Sequence, residues 1–71
     1  MAKTVTAPMV GKVFEICCKP GDRIAENQVV AVIEAMKMEV PVIAAASGTV
    51  QEIRVAVGDV VESTTVMMTL E

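Results

Sequence analysis

One shift of 37 residues lays half of this chain over the other half without a gap. The segment APMVGKVFEICCKPGDRIAENQVVAVIE, Ala7 to Glu34, aligns on AAASGTVQEIRVAVGDVVESTTVMMTLE, Ala44 to Glu71. Gly11 falls on Gly48 and Gly21 on Gly58. The same shift pairs Val13 with Val50, Glu15 with Glu52, Ile16 with Ile53, Asp22 with Asp59, Val29 with Val66 and Glu34 with Glu71. Units this short cannot each bury an apolar face alone, so two of them must share one core under approximate two-fold symmetry. That constraint predicts one domain over residues 1–71, with repeat halves 7–34 and 44–71 joined by a hairpin region at 35–43.

Each half is punctuated as a β unit: glycine, β-branched strand, Gly-Asp turn, short segment, second strand. Strands are predicted near Lys3 to Thr6, Lys12 to Cys18, Val29 to Glu34, Glu39 to Ile43, Thr49 to Val55 and Val66 to Leu70, with short pieces at Arg23 to Ile24 and Val60 to Val61. The fold class is all-β, a flattened barrel or a pair of small antiparallel sheets. Alternation breaks at one place in both halves: Val13, Ile16 and Cys18 match Val50, Ile53 and Val55, and spacings of three and two cannot all face one side of a flat strand. A repeated bulge is therefore expected. On this alignment Cys18 points inward and Cys17 is wet, which describes ordinary thiols in a reducing cytosol. Gly21 and Gly58 supply turn conformations costly for other residues, and Asn27 tolerates a left-handed backbone.

Composition removes several function classes. A formal charge of −3 with scattered basic residues leaves no footprint for nucleic acid. Phe14 is the sole aromatic residue, so stacking platforms are absent. No histidine is present, which removes the commonest general base and metal ligand; neither a catalytic residue nor a metal site is expected, and an enzyme is a poor reading. The chain is 54% hydrophobic, but its apolar runs fall short of the roughly 20 residues of a membrane span. The opening MAKTVTAPMV lacks a sustained apolar stretch, so no secretory signal is expected and a soluble, cytoplasmic domain is.

Lys37 lies between the halves, in VVAVIEAMKMEVPVIAA. Glu34 to Glu39 are good helix formers, yet Val29, Val30, Val32 and Ile33 before them and Val40, Val42 and Ile43 after them are β-branched, and Pro41 disrupts a helix interior. Two strands joined at Lys37 fit better. The lysine then sits at a hairpin tip built from residues that tight turns normally avoid, and such breaches of local rules mark function. Glu34 and Glu39 flank the tip as solvated cross-strand residues.

The run EAMKM, Glu34 to Met38, resembles the attachment motif of biotin carboxyl carrier domains, and the similarity extends from about Thr4 to Leu70, including APMVGKV and both Gly-Asp turns. The resemblance implies a barrel-sandwich hybrid: two four-stranded antiparallel sheets with pseudo-two-fold symmetry. It also implies that Lys37 carries biotin, joined by a biotin protein ligase, with Ala35, Met36 and Met38 as recognition residues for ligase or partner. Biotin on a swinging arm would carry a carboxyl group between biotin carboxylase and a carboxyltransferase or decarboxylase. The chain itself would be a non-catalytic carrier, monomeric in isolation. Without an insertion between Cys18 and Ala31, it resembles carriers that lack the protruding thumb of one bacterial acetyl-CoA carboxylase type. Thr64 replaces a frequent turn glycine and would strain at positive φ, so the second turn is expected to take another geometry.

Two other readings compete. A lipoyl carrier shares the fold and the lysine but typically has aspartate before it and alanine after it, unlike Met36 and Met38; a dual biotin and lipoyl carrier is the intermediate case. A structural barrel-sandwich adaptor needs no lysine and would favour Asn-Gly at the tip.

Overall fold

Each half of the repeat becomes four strands. The computed structural model describes residues 3–71, so the first two residues of the expected 1–71 domain lie outside the described residues. The first half forms β1 (Lys3–Thr6), β2 (Gly11–Ile16), β3 (Arg23–Ile24) and β4 (Val29–Ala35), and the second forms β5 (Met38–Ile43), β6 (Gly48–Ile53), β7 (Val60–Val61) and β8 (Val66–Leu70). They assemble into two four-stranded sheets, ordered β1-β8-β6-β3 and β5-β4-β2-β7, with antiparallel pairing throughout. Advancing every strand of the first sheet by half a repeat produces the order of the second. The correspondence begins earlier than the aligned sequence does, because β1 on β8 has the register of β5 on β4: Lys3↔Leu70, Thr4↔Thr69 and Val5↔Met68 repeat as Val40↔Ile33, Pro41↔Val32 and Val42↔Ala31.

The expected bulge occurs in both halves. Register shifts between Val13 and Glu15 in β2 and between Val50 and Glu52 in β6, leaving Phe14 and Gln51 as the extra residues. A second symmetric irregularity leaves Val30 of β4 and Met67 of β8 unpaired against their edge partners. There two consecutive side chains turn inward, and Val30, Ala31, Met67 and Met68 are all fully buried. With Val13, Ile33, Val50 and Leu70 they make a single core without buried polar side chains among the described residues.

The halves are stitched together through their turns. Val13 N–H donates to Asp59 O and Gly58 N–H to Val13 O, while Val50 N–H donates to Asp22 O and Gly21 N–H to Val50 O, all at 2.8 Å. Gly21 and Gly58 adopt φ of 95° and 99°, where a side chain is strained whatever space surrounds it, and each Asp carboxylate accepts from the backbone N–H three residues back. The following turns diverge as expected. Asn27 takes φ 71°, whereas Thr64 avoids positive φ. Both still close with an i+3 backbone bond, and both use the fourth residue's side chain, Gln28 or Thr65, to accept the first residue's N–H.

The strands expected at Lys12 to Cys18 and Thr49 to Val55 each begin one residue earlier and end at Ile16 and Ile53. Past those ends Cys17 N–H still reaches Val30 O and Arg54 N–H reaches Met67 O as the chain swings toward its Gly-Asp turn. Cys17 is exposed and Cys18 half-buried, its Sγ 3.7 Å from Val30 O and 3.7 Å from Met68 Sδ. Burial, followed by the charges of Asp22 and Cys17, pushes the Cys18 thiol above its ordinary value. Among the described residues no helix is long and apolar enough to cross a membrane.

Candidate functional site

β4 and β5 form the longest paired ribbon of the molecule, with register from Val29↔Ile43 to Ala35↔Met38. The ribbon is closed by a two-residue turn, Met36-Lys37, with φ of 52° and 66°. Positive φ at both central residues is the type I′ geometry, whose twist matches that of the flanking strands and which normally selects Asn-Gly. Helix propensity in Glu34 to Glu39 is thus overridden: β-branched strands on both sides set the twist, and the turn follows them at the expense of two left-handed L-residues.

The closing pair Ala35↔Met38 is hydrogen-bonded in such a turn, so Glu34↔Glu39 and Val32↔Pro41 fall on non-hydrogen-bonded positions. Pro41 therefore directs its missing N–H away from β4. Because β5 is an edge strand, the proline costs no ladder bond and blunts the edge against further pairing.

The four site residues expected from sequence separate by exposure. Lys37 is exposed at the tip, and Met36 and Met38 are 86% and 67% exposed. Ala35 is only 5% exposed and faces the core, so it offers neighbours its backbone alone. The one ion pair among the described residues joins Arg54 to Glu52 on the surface, leaving the Lys37 ammonium without a carboxylate partner. Behind the tip, Glu34 and Glu39 are exposed and directly opposite each other, a like-charge pairing that costs a few tenths of a kcal/mol or more. The β4 end is seated by Gly11, where a Cβ would come within 2.8 Å of Glu34 O. The turn thus projects a primary amine, framed by two apolar side chains, from a paired ribbon. It can present that amine to an acylating enzyme.

One feature escaped the sequence reading. A groove of about 340 Å³ runs beside the tip's sheet, lined by Lys12, Val13, Phe14, Glu34, Val57 and Gly58. Its signal lay in the bulge, which leaves Phe14 as an extra residue that the core does not absorb.

The family described as biotin-requiring enzyme matches residues 3–70. A biotinylated protein TB7.3 homolog of Mycobacterium leprae is 41% identical over 63 residues, covering 89% of this chain and 89% of that protein. The Kluyveromyces lactis urea carboxylase structure superimposes with a TM-score of 0.91 at 30% identity, over 100% of this chain and 6% of that one. The lipoyl domain of the Azotobacter vinelandii 2-oxoglutarate dehydrogenase complex gives a TM-score of 0.76 at 28% identity, over 96% of this chain and 94% of that one.

Proposed function

Since the chain belongs to the biotin-requiring enzyme family, as a biotinyl domain of the biotin/lipoyl attachment type, we propose that Lys37 is the residue that carries covalent biotin and that the loaded domain is a carboxyl carrier. The observation that carries this reading is the Met36-Lys37 turn: an exposed, unpaired amine held in a strained type I′ geometry where the fold alone would favour Asn-Gly.

Lys37 Nζ, once it has lost its proton to a base of the ligase, forms an amide bond with the acyl carbon of biotinyl-adenylate, and AMP departs. Biotin, when bound, supplies the ureido nitrogen on which carboxyl is carried. The chain's own contribution is attachment and reach. Met36 and Met38 offer soft apolar contact that adapts to a ligase and then to carboxylase components, while Ala35 contributes only its place beneath the turn. The lysine stem becomes the first part of a flexible arm, and β4 and β5 keep its base fixed. In this reading the partners are a biotin protein ligase, a biotin carboxylase and a carboxyltransferase or decarboxylase, met in the cytoplasm by a domain that is monomeric and performs no chemistry of its own.

Likeness to a lipoyl domain keeps a second cofactor in play. Incubation with biotin, ATP and biotin protein ligase is expected to raise the intact mass of the protein by one biotin, and Lys37→Arg is expected to abolish the gain. A wild type that gains nothing, or an arginine variant that still gains, overturns the reading. Replacing that ligase with lipoate ligase, and biotin with lipoate, tests the second reading in the same assay.

A further inference from the structure

We propose that the groove between Phe14 and Glu34 is a docking site for the chain's own biotin ring, which rests there when the arm is not engaged by a partner; the proposal depends on Lys37 being the biotinylated residue. Three observations converge on it.

The first is position. Lys12 lies opposite Glu34 across β2 and β4, and Val60 lies opposite Lys12 on the other side, so one outward row crosses the sheet directly behind the tip. The Val57-Gly58 turn is bonded to Val13 and closes the groove on the side away from β4. At about 3.3 Å per residue along a strand and about 4.8 Å between strands, the groove's centre lies roughly 12–14 Å from the Lys37 backbone. A lysine side chain amide-linked to biotin spans about eleven bonds from Cα to the ring, or roughly 14 Å when extended. The ring can therefore arrive, and a much shorter arm could not.

The second is chemistry. Phe14 is 53% exposed and Val57 64% exposed, apolar surface of the kind that covers the thioether face of a bicyclic ring. Lys12 and Glu34 line the groove as one donor and one acceptor. They match a ureido group, whose carbonyl accepts and whose N–H groups donate. The third is size: about 340 Å³ lies in the range of small-molecule sites and suits a small bicyclic ring.

Phe14 is the only aromatic residue in the chain, so its ring resonances need no assignment. Aromatic and methyl NMR spectra of the unmodified protein, the biotinylated protein and Lys37→Gln, which loses the charge without gaining a ring, test the proposal. Biotinylation is expected to shift the Phe14 ring and Val57 methyl signals and to give nuclear Overhauser contacts between Phe14 and the biotin ring; Lys37→Gln is expected to leave those signals in place. If the ring is docked about half the time, streptavidin should capture biotinylated Phe14→Ala about twice as fast as biotinylated wild type, and Val57→Ser should behave likewise. A protein whose mass shows biotin on Lys37 but whose Phe14 signals match the unmodified form overturns the groove alone. A protein that takes no biotin overturns the carrier reading as well.

Discussion

At Met36 and Lys37 the backbone adopts a form that costs an L-residue roughly 1–2 kcal/mol, and nothing in the core demands these two side chains, since both are exposed. Side chains that a turn would not select for itself are retained when something outside the fold uses them. Met36→Asn tests the cost directly. Asparagine is at home in the first central position of a type I′ turn, so the variant is expected to be more stable by about 0.5–1 kcal/mol, or several degrees in thermal midpoint for a domain this small. It should also be biotinylated more slowly, through loss of the exposed thioether. A midpoint that falls would show that the tip is not strained at Met36.

Among the elements, the turns divide into those that need glycine and those that do not. Gly58→Val is expected to cost about 2 kcal/mol, because its φ of 99° is strained for a β-branched residue even though open space surrounds it. Lys37→Ala should change stability by about 0.5 kcal/mol or less, since it trims only a solvated tip. Chemical denaturation of the two variants checks the contrast, and equal losses would contradict it. These turns were readable from the chain because Gly21 and Gly58 stand at one repeat position and are each followed by aspartate, a local signature. Asn27 was readable because asparagine tolerates a left-handed backbone, and Thr64, which would strain there, announced a different geometry. The Phe14 and Gln51 bulge was also legible, since it leaves a spacing that one flat strand cannot accommodate. What stayed hidden was non-local. That Val30 and Met67 have no register partner on the edge strands, that Gly11 must be bare beneath Glu34, and that Phe14 opens onto a groove all depend on which strand arrives as neighbour; no window of residues around those positions contains that information.

For the molecule as a whole, the repeat makes the place of the tip legible in the sequence. Whatever joins two halves of a two-fold structure must sit at its edge, and a seven-residue β4 followed by a six-residue β5 carries that edge outward. The same rotation carries the tip onto the gap between Leu70 and Lys3, which are register partners in β8 and β1. Leu70 and Lys3 are held together there by strand pairing. Circular permutation should therefore be benign. A chain joined across that gap by a two-residue turn and opened between Ser63 and Thr64 is expected to fold and to accept biotin at Lys37. One opened between Met36 and Lys37 is expected to keep most of its thermal midpoint while losing the ligase as a customer. The seam proposed to bear the biotin is, for the architecture, optional.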